Sequence, residues 1–469
     1  MHPMSLTLDF TNLLSSAVGA DHGLSEAAID NQAGRTRRIH AELQARRDSG
    51  ELGFYDLPGD TRAAAEIRAA AQRVRDHFEN FVVLGIGGSA LGVIATQTAL
   101  GHAFHNLLPA DRRSGPRLFV PDNPDPELTA DLLEVLDPKT TCFNVITKSG
   151  STSETMAHYL AVRDLLARTV GPSKVKDHLV ITTDPAKGAL RKIAAAEGIP
   201  SLPVPPNVGG RFSVLCAVGL FPAAVVGVDI DALLAGAGAM ERRCASDDLW
   251  SNPAYLHSTA HFLFDRERRK NIAVMMPYAS ALRDLADWYR QLLAESLGKR
   301  LDVEGREVHC GQTPVKALGA TDQHSQVQLY VEGPHDKVFT LLATERWRRE
   351  TPIPPAHPEE DALSFLGGRT LGELLSAEQR ATEYALTKAG RPNCRLIFPQ
   401  IDAEHVGEFY MLFEIATAHG GGLYRVNAFD QPGVEEGKDA TYALMGKRGF
   451  EAKRAELEAA FAKTKPRRV

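Results

Sequence analysis

Residues 147–154, Thr147-Lys148-Ser149-Gly150-Ser151-Thr152-Ser153-Glu154, place five hydroxyl side chains and a glycine in one short turn. An apolar run precedes the turn and a helical pattern over 156–166 follows it. Free main-chain amides and the helix dipole at such a point favour an anion, and hydroxyls add donors for phosphate oxygens. The same residues also read as a capping box of Ser151 with Glu154. A second turn, Gly85-Ile86-Gly87-Gly88-Ser89, closes another apolar run. Gly85, Gly87 and Ala90 make a weak dinucleotide fingerprint, but no strand ending in a ribose-binding acid follows. A tight turn presenting Ser89 to a sugar is the better reading, with Gly85 also suited to close strand–helix packing.

Proton-transfer groups lie further along. Residues 281–298 have helical periodicity, with Leu282, Leu285, Tyr289, Leu292 and Leu293 on one apolar face. Asp284, Trp288, Gln291 and Glu295 form a second stripe roughly 120° round the helix. By pattern alone Glu295 is a surface glutamate, although Trp288 in its stripe argues against full solvation. His324 sits in Gly319-Ala320-Thr321-Asp322-Gln323-His324-Ser325-Gln326, a context that by itself assigns it no role. Two further runs suit no core. Asn207-Val208-Gly209-Gly210-Arg211-Phe212-Ser213 lets the backbone approach a ligand closely, next to an arginine. Phe429-Asp430-Gln431-Pro432-Gly433-Val434-Glu435-Glu436-Gly437-Lys438 follows Gly420-Gly421-Gly422-Leu423-Tyr424 and reads as a displayed loop at the end of an apolar element.

The 207–213 and 429–438 runs together resemble the paired signatures of the glucose-6-phosphate isomerase (phosphoglucose isomerase) family. Gln291-Leu292-Leu293-Ala294-Glu295-Ser296-Leu297-Gly298-Lys299 is similar to the family's Gln-x3-Glu-Ser-x-Gly-Lys element, and Gln323-His324 to its Gln-His element. The likeness runs from about Phe81 to Lys438. It implies reversible interconversion of glucose 6-phosphate and fructose 6-phosphate, with no metal or organic cofactor. It implies that Thr147, Ser149 and Thr152, with the Lys148 backbone, hold the substrate phosphate. Gly88, Ser89, Gly210, Gln291 and Gln431 complete the substrate contacts. Glu295 is the implied base that moves a proton between C2 and C1, and His324 with Lys438 opens the sugar ring. Arg211 faces the enediolate oxygens, where a fixed guanidinium stabilises developing charge. The family is dimeric and its histidine reaches the neighbouring subunit's site, so a homodimer with shared active sites is expected. Two other readings stay open: a non-catalytic sugar-phosphate-binding regulator, and an isomerase that also accepts mannose 6-phosphate. The first has no need of Glu295, His324 and Lys438 together.

These groups need a scaffold that brings distant segments together. Apolar runs at 81–87, 117–121, 141–147 and 178–183 alternate with helix-length segments and predict a parallel sheet covered on both faces. Runs at 271–276, 327–331, 338–343 and 395–399 predict a second sheet. The fold class expected is α/β: two doubly wound, mainly parallel sheet domains with extra helices, which the resemblance specifies as the sugar-isomerase (SIS) type. The expected boundaries are a helical segment over 1–75, a first domain over 76–245 with the phosphate cradle, a second over 246–440 with Glu295 and His324, and a helical tail over 441–469. Residues 215–228 read as a buried helix, 346–358 as an exposed connection, and 465–468 as a frayed end.

Bulk properties narrow the partners. The 469 residues suffice for two or three domains with a large core. A net charge of -6 gives no electrostatic footprint for nucleic acid, so an anionic substrate needs a local cationic site. No apolar stretch suits a membrane span, and the first residues lack a signal-peptide pattern. Five scattered cysteines, with no Cys-x-x-Cys, point to reduced thiols and a cytoplasmic location. His309 beside Cys310 lacks a second pair for a metal.

Overall fold

The structure is a computed structural model that describes residues 5–463 and 466–469. Its strands, in chain order, are β1 (Thr7–Asp9), β2 (Asn80–Leu84), β3 (Arg117–Phe119), β4 (Thr141–Ile146), β5 (Leu179–Thr183), β6 (Ser201–Pro203), β7 (Ile272–Pro277), β8 (Lys299–Leu301), β9 (Glu307–Cys310), β10 (Thr313–Lys316), β11 (Lys337–Arg346) and β12 (Asn393–Gln400). The first sheet has the order β3-β2-β4-β5-β6 and is parallel throughout. The second has the order β1-β12-β11-β7-β10, parallel except for β1. All residues of β2, β4 and β5 are buried, as expected of parallel strands with helices on both faces. A small antiparallel pair, β8 with β9, stands apart.

One core spans both sheets. It joins Phe81 and Val83 of the first sheet to Met275, Leu342 and Leu396 of the second. The Ala403–Tyr424 helix runs through it and is buried along nearly its whole length. Asp402 caps its start by accepting the His405 amide. It crosses the Ile230–Arg243 helix so closely that a side chain at Gly407 would meet the Leu233 carbonyl oxygen at 1.9 Å.

Several expectations need correction. Residues 327–331 form the helix Val327–Glu332, not a strand. Val327, Tyr330 and Val331 share one helical face and pack on the second sheet's outer cluster. The strand beside β7 is instead β10, whose Pro314 and Lys316 disguise it; an edge strand tolerates both. The N-terminal segment is not helical throughout, since β1 pairs antiparallel with β12. The triple glycine 420–422 does not end the apolar element but stays helical. A Cβ on Gly421 or Gly422 would lie 2.8 Å from Ala428 Cβ or 2.5 Å from Ile39 Cγ2, so close packing explains the absence of side chains. The run 429–438 is a loop only in its first part; the Glu435–Leu444 helix takes the rest. The 215–228 stretch contains the buried helix Ala217–Val225, and the Glu451–Lys463 helix forms the tail. Met1 to Met4 and Lys465 lie outside the described residues. Among the described residues no helix is long and apolar enough to cross a membrane.

Candidate active site

In the first sheet the strand order reverses between β2 and β4, since β3 lies on one side of β2 and β4 on the other. Ligands of open α/β sheets bind outside the carboxyl ends of strands at such a switch point. β2 ends in the Gly85–Ser89 turn and β4 in the Thr147–Thr152 turn, so the fold places both glycine-rich turns at this crevice.

The capping box does not form. Thr152 is the N-cap of the Ser153–Thr169 helix, and no side chain caps that helix. The hydroxyls bond one another instead: Thr147 Oγ1 lies 2.8 Å from Thr152 Oγ1 and 3.3 Å from Ser149 Oγ. Ser151 Oγ donates to Ser149 Oγ at 3.3 Å. A cluster of hydroxyls at an open helix N-terminus can turn its donors toward an anion. Lys148 Nζ donates to the carbonyls of Pro206 (2.7 Å) and Val208 (2.8 Å), tying the cradle to the loop that carries Arg211. Burial holds the Lys148 ammonium below its ordinary pKa, partly offset by Asp184.

Arg211 is buried where that loop, the Arg283–Leu297 helix and the 428–431 segment meet. Nε donates to Ser296 Oγ at 2.7 Å, and Nη2 to the carbonyls of Ala428 and Asp430. Nη1 faces Gln431 Oε1 at 2.9 Å and Glu295 Oε2 at 3.3 Å. Arg211 therefore also ties these loops together. Burial lowers its pKa, and the negative charges of Glu295 and Asp430 oppose that. Glu295 keeps a third of its side chain exposed, and Gln291 Nε2 donates to its Oε1 at 3.0 Å. Trp288, two turns before Glu295, is buried against Tyr410.

The glycines of both runs make this meeting possible. A Cβ on Gly88 would lie 2.4 Å from the Gly210 carbonyl oxygen, and one on Gly87 2.9 Å from Gln291 Nε2. Gly87 also has a positive φ of 56°. Ser89 is half-buried, and its hydroxyl has no protein hydrogen-bond partner among the described residues.

The structure thus brings together Gly88, Gly210, Arg211, Gln291, Glu295 and Gln431, with Thr147, Lys148, Ser149 and Thr152 as a linked cradle. It does not join His324 or Lys438 to them. His324 is exposed on the turn Thr321–His324, and its side chain makes no hydrogen bond or ion pair among the described residues. Lys438 is exposed on the Glu435–Leu444 helix and pairs with Glu435 at 2.8 Å. That helix reaches the cradle through Tyr442, whose hydroxyl donates to the Ser151 carbonyl at 3.3 Å.

Sequence reasoning missed Lys299. Its ammonium is buried and donates to the carbonyls of Glu295 (2.6 Å) and Asp430 (2.5 Å), with the Asp430 carboxylate at 3.2 Å. Burial depresses its pKa and Asp430 opposes that. Its signal was the end of the Gln-x3-Glu-Ser-x-Gly-Lys element.

Comparison with known proteins gives consistent matches. Residues 65–460 match the family model described as phosphoglucose isomerase. The glucose-6-phosphate isomerase of Carboxydothermus hydrogenoformans is 52% identical over 455 residues, 97% of each chain. That of Rubrobacter xylanophilus is 45% identical over 95% of this chain and 99% of its own. Among solved structures, a hypothetical protein from Thermus thermophilus matches with a TM-score of 0.84 and 38% identity, covering 94% of this chain and 100% of that one. A glucose-6-phosphate isomerase from Chlamydia trachomatis shares the fold, with a TM-score of 0.80 and 19% identity over 99% of this chain and 97% of its own.

Proposed function

The chain belongs to the phosphoglucose isomerase family, and from that premise we propose that it interconverts glucose 6-phosphate and fructose 6-phosphate through a cis-enediol(ate), in glycolysis and gluconeogenesis in the cytoplasm. The observation that carries this reading is the half-open Glu295 carboxylate, oriented by Gln291 and Arg211 at the crevice of the sheet switch point.

The phosphate sits on Thr147, Ser149, Thr152 and the Lys148 backbone, with Gly88 and Ser89 along the sugar. His324 and Lys438 move a proton between the ring oxygen and the C1 hydroxyl, which frees the aldehyde. Glu295 then takes the C2 proton, and the electron pair moves through C1 to O1. As the enediol collapses the same carboxyl returns its proton to C1, the O2 proton passes to O1, and the carbonyl stands at C2. Arg211, with Gly210 and Gln431 beside it, faces the enediolate oxygens. A single carboxyl reversing its role is ordinary general acid–base chemistry. The working unit is a homodimer in which His324 serves the partner's site; its exposure, with no side-chain bonding partner among the described residues, supports that assignment. The first sheet's domain, 76–245, and the second's, 246–440, meet at this site.

Turnover in deuterated water tests the proposal. Wild-type protein should place deuterium at C2 of recovered glucose 6-phosphate. Glu295→Gln should fold normally and lose about 10²–10⁴-fold in turnover. Near-normal turnover in a folded Glu295→Gln protein would overturn the assignment of the base.

A further inference from the structure

A second cationic site lies outside the crevice. A cleft of about 620 Å³ opens between the Ala33–Asp48 helix, the end of the Ala403–Tyr424 helix and the segment leading to Gln431. Arg35, Arg38, Arg46 and Arg425 line it, and Glu42 is the one acid among its lining residues. None of the residues assigned to the sugar phosphate is among them.

The charges are unevenly compensated. Arg46 is held by Glu51 through two hydrogen bonds, and Arg425 by Glu304. Arg35 donates to the carbonyl of Leu423 and has no acidic partner among the described residues. Arg38 is exposed, and its guanidinium has neither a hydrogen bond nor an ion pair among them. Burial, then the neighbouring charges of Arg425 and Arg38, hold Arg35 below its ordinary pKa. A guanidinium does not shed its proton, so that repulsion is relieved by an incoming anion. Two guanidiniums on one wall suit carboxylate or phosphate oxygens, which they grip in pairs. The apolar floor, including Ile39 and Val426, suits the carbon skeleton of an organic anion.

We propose that this cleft binds a small multivalent anion, through carboxylate or phosphate groups, and that its occupancy is felt at Arg211. The physical link is short. Phe429 forms part of the cleft wall, carries the Arg46 guanidinium 4.8 Å from its ring centre, and packs against Phe212 with ring centres 5.2 Å apart. Ala428, also in the wall, accepts a hydrogen bond from Arg211. An anion that draws Arg46 toward Arg35 and Arg38 shifts the contact that seats Phe429. It thereby shifts the segment on which Arg211 and Gln431 rest.

Citrate and pyrophosphate are the probes, titrated calorimetrically at constant ionic strength into the full chain saturated with fructose 6-phosphate. Binding should persist under saturation. It should weaken at least tenfold in Arg38→Ala, which melts like the wild type in buffer alone. Preference for citrate or for pyrophosphate identifies which anionic group the cleft takes. Binding that saturating sugar phosphate abolishes, or that Arg38→Ala leaves unchanged, overturns the proposal. So does dissociation of an assembled state in Arg38→Ala by light scattering, which makes the cleft an interface between copies. Because binding is read directly, the result stands apart from whether the sugar phosphate is turned over.

Discussion

The ammonium of Lys299 lies 2.6 Å from the main-chain carbonyl of Glu295 and 3.2 Å from the carboxylate of Asp430. One buried cation therefore fastens the end of the Arg283–Leu297 helix to the segment that carries Gln431. Charge-assisted hydrogen bonds of this kind contribute about 1.5–3 kcal/mol each, and their loss here also strands the Asp430 side. Lys299→Met should lower the melting temperature and reduce kcat about 10–100-fold, because small misplacements of a reacting group cost that much. Steady-state kinetics beside a thermal melt check this; unchanged kcat in a folded variant contradicts the positioning role.

Gly88 and Gly210 press the β2 turn against the Arg211 loop. A methyl at position 88 would sit 2.4 Å from the Gly210 carbonyl oxygen, a contact that backbone must move to relieve. Gly88→Ala should cost about 1–3 kcal/mol of stability, the usual range for overpacking. It should also raise KM for the sugar phosphate, because Ser89 and Arg211 are pushed apart. Gly433→Ala is the control, since nothing stands within 4 Å of its added methyl. Equal KM values in the two variants would show that the close approach does not shape the site.

The sheets were legible where strands are long, apolar and buried on both faces, as in 81–84 and 141–146. The edge strands Ser201–Pro203 and Thr313–Lys316 were not: both are short, half-exposed and contain proline, so nothing in their residues separates them from loops. The helix at Val327–Glu332 was misread because six residues hold fewer than two helical turns, too few for periodicity to decide between strand and helix. Most of the site was legible through the motifs that carried it. Glu295, Arg211 and Gln431 do meet, over sequence separations that no local pattern predicts. Lys299 was missed because a lysine after a glycine reads as surface, and only the fold shows its burial.

Glu414 offers a pH test of the core. It is fully buried on the Ala403–Tyr424 helix, and neither carboxyl oxygen has a hydrogen-bond partner among the described residues. Burial pushes its pKa well above the ordinary value of 4.5. Above about pH 4.5 the unfolded chain releases this proton while the folded chain keeps it, so its contribution to stability falls as pH rises. The buried His261, lowered to about 4, and His419, lowered to about 3, act in the opposite sense below pH 6.5. Comparing Glu414→Gln with wild type cancels the histidines. The variant should gain on the wild type by up to about 1.4 kcal/mol per pH unit as pH rises from about 5 toward 7. Denaturant midpoints at several pH values measure this, and a pH-independent difference refutes it.

His324 stands exposed with no side-chain bonding partner among the described residues, while Glu295 is held within the crevice by Gln291 and Arg211. If the two residues serve one site from different chains, His324→Ala and Glu295→Gln should each be inactive alone. When both proteins are unfolded together and refolded, random pairing makes about half the dimers mixed. Each mixed dimer then has one site with both defects and one with neither. Activity should reappear at about a quarter of the wild-type value per site, following from that pairing and from the isologous geometry of a two-fold dimer. A site built within one chain leaves every mixed site with one defect, so the refolded mixture stays as inactive as its parents. The same assay run on wild-type protein refolded alone fixes the recoverable maximum, and a dead mixture beside an active control removes His324 from the partner's site.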